Sequence, residues 1–589
     1  MGEKKEQSQD IVVDKPVTQL SDLWKKEDYW AIWLGSILLI VGILIYFNNA
    51  PKDMEKRLET ANAVLKAESE RAPFKTVAWH EANDEKGKIA GANEKLPKEI
   101  ASYLARPHDW NLNPIESFIR TKEEADAKAA ANKEKFEKAK AAAAEAKTKA
   151  KEMEKVAAEA QFKDENLNKQ AIEAIAAWRK AQDAASKARR AAEAKPYNIV
   201  GSLVVLCIAT GLFFTIGNIF MGRNIGKFLL GFPIVFILAV LAYMLAAQAT
   251  FKAWGLEYVL WAIILGFLIS NTIGTPKWLL EAAQTEYYIK TGLVLLGSSI
   301  LINKILLIGI PGFFVTWVVT PIVLIVTYWF GQNILKMTSK TLNITVSADM
   351  SVCGVSAAIA TAAACRAKKE ELTLAVGMSI TFTAIMMITM PAFIKAIGMH
   401  HVLGGAWMGG TIDSTGAVVA AGAILSDTAM YVAATIKMIQ NMMIGVIAFG
   451  VATYWALKVD MTPGVKLSIG SALNEIWARF PKFVLGFLGA SVVFSLIHQS
   501  LGKDVGKVLI DDGVIRGWTS ALQGWFFCLA FVSIGLSTDF RDLAKYFKGG
   551  KPLILYVCGQ SFNLFLTLAM AYVMFFVVFP DITEKLVSK

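Results

Sequence analysis

Long apolar blocks alternate with short basic loops along most of this chain. The first block, "WAIWLGSILLIVGILIYF" (30–47), follows 29 polar residues of mixed charge. After a polar interruption the blocks resume at 198–221, 227–249, 254–274, 288–310, 312–334, 345–364, 372–396, 404–424, 429–457, 480–500, 514–537 and 552–579. A helix of roughly 20 apolar residues crosses a bilayer. The pattern therefore predicts an all-α polytopic membrane protein with about 11–13 membrane segments. A β-barrel is excluded, because barrel strands are short and alternate in polarity. Pro311-Gly312 predicts a very tight turn between two of the blocks.

The interruption, 51–196, has a different pattern. Its centre, "ADAKAAANKEKFEKAKAAAAEAKTKAKEMEKVAAEA" (125–160), is made of strong helix formers with many Glu and Lys four residues apart. A second helical run covers 165–194, and "QFKDENLN" (161–168) suits a turn between the two. The apolar stripe is mostly Ala, enough for thin contact in a coiled-coil-like hairpin. Residues 73–118 carry Pro73, Trp79, Pro97, Trp110 and Pro114 and suit a small cap. The chain thus divides into a tail (1–29), a first transmembrane anchor (30–48), a soluble helical insert (51–196), a membrane domain (197–579) and a short tail (580–589). The insert is either a solvated hairpin or a surface for a protein partner or a second copy of the chain.

Basic loops mark the cytoplasmic face. With the N-terminus inside and the insert outside, Arg223, Lys227, Lys336, Lys340, Lys458, Lys466, Arg479, Arg541, Lys545, Lys548 and Lys551 all fall inside. Arg366, Lys368 and Lys369 fall outside if every block spans. The conflict disappears if 345–364 and 404–424 re-enter from opposite faces. If both instead cross as broken helices, one basic loop breaks the rule.

Those two blocks are also the polar ones. In "SADMSVCGVSAAIATAAA" (347–364) and "GGTIDSTGAVVAAG" (409–422), Ser351-Val352-Cys353 aligns with Thr411-Ile412-Asp413, and Ser356-Ala357 with Gly416-Ala417. The likeness suggests inverted repeats with a midplane site between two broken helices. An unwound stretch before a helix exposes backbone N–H groups at a positive dipole end, which favours an anion. Close helix packing through small residues is the alternative reading, but it does not explain the polar ones. The candidate substrate-binding residues are Ser351, Cys353, Gly354, Ser356, Thr411, Asp413, Ser414, Thr415, Lys437, Gln440 and Asn441. Asp413 is the candidate coupling-ion residue, for a proton or sodium, or a partner of Lys437. Lys437 has a second reading, snorkelling to an interface. Ser537, Thr538, Asp539 and Arg541 are candidates for a gate or cytoplasmic mouth, and Lys290 and Asn303 for the pore lining. Asp349 suits a helix cap equally well.

Composition narrows the chemistry. The chain of 589 residues is 54% hydrophobic with mean hydropathy +0.42. The net charge of +11 belongs largely to the loops, so it is not a nucleic-acid signal. Cys207, Cys353, Cys365, Cys528 and Cys558 form no CxxC pair, and the five His form no HExxH. No metal site, cofactor, nucleotide-binding loop or ordered nucleophile–base set is evident, which argues against an enzyme.

"SVCGVSAAIATA" (351–362), "GGTIDSTGAVVAAGAI" (409–424), "IKMIQNMM" (436–443) and "SIGLSTDFRDLAKYFKGGKPLIL" (533–555) occur in that order. The set resembles a family of bacterial inner-membrane proteins named for sulfate export, over roughly 254–579. The resemblance implies a fold related to sodium/proton antiporters and bile-acid symporters, with crossed broken helices. It also implies export of sulfate or a related sulfur oxyanion. The resemblance implies His-Glu in typical members where Asp413-Ser414 stands, and often Arg at Gln440 and Gln at Ala417. The resulting expectation is a secondary transporter of a small anion, working by alternating access in the plasma membrane. The alternatives are a sodium- or proton-coupled organic-acid transporter of the same architecture and a membrane-anchored scaffold that uses the insert.

Overall fold

The computed structural model describes residues 12, 19–254, 256–300, 302–459, 477, 478, 480–543 and 550–587. Side chains of 302–304, 456, 457, 542, 543 and 587 lie outside the description, as do the backbone and side chains of Lys466, Arg479, Lys545 and Lys548. The protein is an all-α polytopic membrane protein. Helices of nine residues or more are numbered in chain order.

Helix α1 (Glu27–Asn48) is the first crossing. The insert follows with α2 (Met54–Arg71), α3 (Val77–Gly87), α4 (Lys95–Tyr103), α5 (Lys122–Glu159) and α6 (Glu165–Ala192). Thr121 opens α5 with a reciprocal capping box to Glu124, which satisfies two end N–H groups at once. The turn between α5 and α6 runs through Gln161 and Phe162, both at positive φ. Trp178 of α6 is buried against Val77, Ala150 and Ile175, a small core consistent with an Ala-rich stripe.

The base of the insert is fastened to the membrane domain. Met54, Leu58 and Ile89 pack on Val508 and Leu509. Trp525 donates its indole N–H to the Leu104 carbonyl (3.2 Å), and Trp110 donates to Met244 (2.7 Å). Lys86 pairs with Asp504 at 2.7 Å.

The membrane domain comprises two bundles. The first joins α1, α7 (Val200–Phe220), α8 (Ile225–Ala246), α9 (Tyr258–Thr272), α10 (Thr285–Ser299), α20 (Phe483–Gly506) and α21 (Ser520–Ser537). Helix α10 is buried along most of its length between α1, α20 and α21. On the outer side, α7 leaves Val204, Ile208, Leu212 and Ile216 exposed at four-residue spacing. In a membrane protein that stripe faces lipid rather than water. The continuous stretch from α20 to α21 folds back at Gly502, which sits at φ 76°.

The second bundle starts with α11 (Ile302–Phe313), which runs through a π segment (Phe314–Val318) into α12 (Val319–Asn333). Pro311-Gly312 is therefore inside a helix, not at the expected turn; the chain turns after Ser299 instead. The wider π turn accommodates the proline, and the Thr316 hydroxyl donates to the Gly312 carbonyl at 2.9 Å. The bundle continues with α13 (Lys340–Ser351), α14 (Val355–Ala364), α15 (Lys369–Ala396), α16 (His401–Thr411), α17 (Thr415–Leu425), α18 (Asp427–Asn441), α19 (Met443–Tyr454) and α22 (Lys551–Tyr572).

Both polar blocks are helix, three-residue break, helix. Both turn back on themselves. A straight helix would place Thr341 and Cys365 roughly 36 Å apart. The Cys365 thiol instead meets the Thr341 carbonyl at 3.9 Å. Likewise, a Cβ on Gly404 would lie 3.0 Å from a Leu425 methyl, although 21 helical residues span roughly 31 Å. The segments are re-entrant hairpins, not the crossed broken helices that the resemblance implied. Their bases lie at opposite ends of α15, so they enter from opposite faces. Arg366, Lys368 and Lys369 return to the face of Lys336 and Lys340, and the basic loops no longer conflict.

The second hairpin lies flush on α18. A Cβ on Gly405 would stand 2.6 Å from the Ala429 carbonyl, and one on Gly409 would stand 2.7 Å from that of Ala433. Small residues there serve close packing.

Candidate functional site

The two breaks, 352–354 and 412–414, meet inside the membrane domain. Gly354 lies against Asp413: a Cβ on it would be 3.1 Å from the Asp413 Cβ and 2.7 Å from the Ser379 hydroxyl. Gly354 has φ 65° and ψ −125°, a region essentially restricted to glycine. Ser379 sits in the interior of α15, several turns from either end, so the tips meet inside the membrane domain, away from both faces.

Four chain ends converge at this point, and they are treated differently. Helices α13 and α16 end there and leave carbonyls that cannot bond within the helix. Side chains from α18 and α22 take them up. Lys437 donates to Val352 (2.6 Å), and the Gln440 amide reaches the Ser351 and Gly410 carbonyls, each at 3.1 Å. Gln560 donates to Thr411 (2.9 Å) and Asn563 to Met350 (3.2 Å). Helices α14 and α17 begin at the same point, and neither N-cap residue, Gly354 or Ser414, caps its helix with a side chain; among the described residues only the Cys353 thiol approaches an end N–H, that of Ala357. Carbonyls are thus closed off behind the tips while N–H ends stay open in front.

In front lies a cavity of about 960 Å³ between the two bundles. Cys353, Gly354, Ser356, Ser379, Thr383, Asp413, Ser414, Thr415 and Asn441 line its inner end. It runs to the face carrying the N-terminal segment, past Lys290, Lys482, Ser537 and Thr538. At that mouth Lys290 bridges Glu27 and Asp28 of α1, each at 2.9 Å, and Arg223 pairs with Glu27 at 2.6 Å.

The structure divides the residues singled out from sequence. Cys353, Gly354, Ser356, Asp413, Ser414, Thr415 and Asn441 line the cavity, and Asn441 donates to the Thr415 hydroxyl at 3.0 Å. Ser351, Thr411, Lys437 and Gln440 lie behind the tips as their supports. Lys437 is completely buried, so it does not snorkel. It also does not pair with Asp413: its ammonium is held by Val352 and, at 2.8 Å, by Gln440. Asp413 instead accepts from Ser379 (3.3 Å) and from the Tyr556 hydroxyl. At the mouth, Ser537 and Thr538 line the cavity. Asp539 and Arg541 lie to one side, paired with each other at 2.8 Å, and Arg541 reaches the Ser270 carbonyl at 2.8 Å. Lys290 lines the cavity as expected of a pore candidate; the Asn303 side chain is outside the description.

Sequence reasoning missed Ser379, Tyr556, Gln560 and Asn563. The last three share one face of α22 at helical spacing, inside an apolar block, and that polar stripe was the available signal. Asp349, read as a possible cap, is no cap: it lies in the last turn of α13, fully buried.

A family model described as "Conserved hypothetical protein 698" matches residues 230–556, a stretch that contains both hairpins and excludes the insert. A UPF0324 membrane protein of Nitratidesulfovibrio vulgaris is 61% identical over 581 residues, covering 99% of this chain and 100% of the relative. The chain belongs to the UPF0324 membrane protein family. Another UPF0324 protein, from Rhodopirellula baltica, is 46% identical over 584 residues and covers 95% of this chain and 92% of its own length. A third, from Nitrosomonas europaea, is 32% identical over 384 residues, which is 57% of this chain and 75% of that relative. Some UPF0324 relatives therefore match across the insert, and others match a region little more than half this chain's length. Their descriptions name no substrate. No solved structure matches the chain.

Proposed function

We propose that this chain is a secondary transporter that moves a small anion by alternating access at the meeting point of the two hairpin tips. The observation that carries the reading is the sorting of chain ends: two uncapped helix N-termini face the cavity, while the neighbouring carbonyls are occupied from behind. Oriented N–H groups and positive dipole ends suit an oxyanion. The Ser356, Ser414 and Thr415 hydroxyls supply further donors without bulk. The cavity lies between two bundles, which suits rocking of one against the other around a fixed site.

Sulfate, a related sulfur oxyanion or a sulfonate is the first substrate to test, with export as the direction, because of the motif resemblance. We place the protein in the bacterial inner membrane, N-terminus in the cytoplasm and insert outside, on the loop charge. A second reading is an organic-acid transporter. It is favoured by the apolar wall of the same cavity, where Ile359, Ile380, Met387 and Ile444 would suit a carbon body.

The test is flux of labelled sulfate, sulfonates and carboxylic acids in proteoliposomes, in both directions, with and without pH or sodium gradients. Saturable sulfate or sulfonate flux supports the first reading, and flux of carboxylic acids alone moves the assignment to the second. Absence of flux for every anion overturns both.

A further inference from the structure

Asp349 has no part in cradling an anion. It ends α13 just before the first break, and it is completely shielded from solvent. Neither of its carboxylate oxygens has a well-formed hydrogen bond among the described residues; the one hydroxyl aimed at it, Ser379, also donates to Asp413 at 3.3 Å. The Asp349 carbonyl accepts from the Gly354 N–H at 2.9 Å, and Gly354 packs directly on Ser379 and on Asp413, at the tip of the opposite hairpin, which brings the two acids within electrostatic reach of each other. A buried carboxylate with no more than a shared hydroxyl for a donor must be neutralised by a proton, a cation or a paired charge.

The groups around the two acids come from every neighbouring element. Ser379 stands on α15, Tyr556 on α22, Cys353 at the first break and Lys437 on α18. Lys437 is the one cation of the set, and its hydrogen bonds go to Val352 and Gln440. Of the two acids only Asp413 lies within electrostatic reach of that ammonium, so the negative charge of Asp349 is left to be balanced.

We infer that Asp349 and Asp413 share one exchangeable proton, held between the tips of the two re-entrant hairpins. A metal cation fits the site less well. Hard cations gather six or more oxygens, and in broken transporter helices the unwound carbonyls supply many of them. In this protein the carbonyls of Met350, Ser351, Val352, Gly410 and Thr411 already accept from Asn563, Gln440, Lys437 and Gln560.

The step itself is simple. With the proton bound, the acid pair carries one negative charge, balanced by Lys437, and the uncapped N-termini present a site that accepts an anion. When the proton passes to water in the cavity, two like charges face each other, the tips repel, and the anion site gains a negative neighbour. Proton and anion then load and leave together, in the same direction. This coupling rests on the transporter reading; the proton site itself rests on the geometry.

The experiment is infrared difference spectroscopy of the purified full-length protein across a pH titration, in sodium chloride and in choline chloride. The expected result is a protonated-carboxyl C=O band that disappears as pH rises, in both salts, that is absent in Asp349→Asn, and that titrates over a different pH range in Asp413→Asn, where the neighbouring charge is gone. Ser379→Ala, which keeps both acids, shifts the band, so the inference survives if an Asp→Asn variant fails to fold by size exclusion. A wild-type spectrum with no titrating carboxyl band overturns the inference, as does a band unchanged in a folded Asp349→Asn. A band that responds to sodium rather than to pH also overturns it, in favour of a cation site. A band that behaves as expected in a protein without anion flux supports the proton pair and removes the transporter reading.

Discussion

Gly354 is the residue on which the tip geometry turns. Its backbone conformation is closed to other residues at a cost of roughly 1–3 kcal/mol, and a Cβ would press on Ser379 and Asp413. Gly354→Ala is expected to lower the thermal stability of the purified protein and to abolish flux. A variant with wild-type melting and transport would show that the tips can separate freely. Asp413 was conspicuous in the sequence because a carboxylate is rare within an apolar block. Its contacts were not legible: Ser379 is 34 residues away and Tyr556 is 143. A hydroxyl in an apolar helix reads equally well as a bond to its own preceding turn, which Thr381 makes to Gly377.

The hairpins were half legible as elements. The alignment of Ser351 with Thr411 matches the structure in register: α13 and α16 end on those residues, and α14 and α17 begin four residues later. Local composition contributes to this, because Gly354 and Ser414, the N-cap residues of α14 and α17, are of the types that favour such positions. Composition says nothing of the direction after the break, so returning and crossing remained open. Gln440 holds both hairpins at once. Gln440→Leu would leave the Ser351 and Gly410 carbonyls without it, at about 1–3 kcal/mol for each buried acceptor orphaned. Hydrogen exchange is expected to rise in α13 and α16 while α10 stays protected; unchanged exchange in both hairpin arms would contradict the bracing role.

The insert's long helices are a separate matter. Helices α5 and α6 pack mainly on each other, with α5 also touching α3, whereas the base of the insert is sealed to the membrane domain through Leu104, Trp110 and Met54. Removing all of 51–196 would uncover Trp525, so the informative deletion is 122–193 with a short linker. It is expected to leave anion flux and melting near wild type. Loss of flux with intact folding would make the hairpin part of the transport cycle.

At the scale of the whole molecule, the cavity between the bundles opens towards the N-terminal face only, as judged from its lining. Cys353 at the first tip is accessible, Cys365 and Cys528 are buried, and Cys558 is exposed on α22. With Cys207 and Cys558 replaced by Ser, a membrane-impermeant thiol reagent is expected to label Cys353 from the N-terminal face alone. Bound substrate should protect it. Labelling from the insert face, or none from either, would contradict the cavity's direction.

The sequence by itself determined what depends on neighbours in the chain. It marked the lipid-crossing helices by run length, the insert by its Ala, Lys and Glu content, and the two breaks with their shared register. Tertiary structure decided what depends on distant partners. It turned the breaks into re-entrant tips, ran a helix through Pro311, and placed Lys437 and Gln440 behind the tips while leaving Asp413 on the cavity. It also set Asp349 near Asp413 with one hydroxyl, Ser379, between them. The physical reason is that a buried carbonyl or carboxylate must find its partner wherever packing brings one. In this fold those partners come from α15, α18 and α22, and no local pattern encodes which of their polar residues meet the tips.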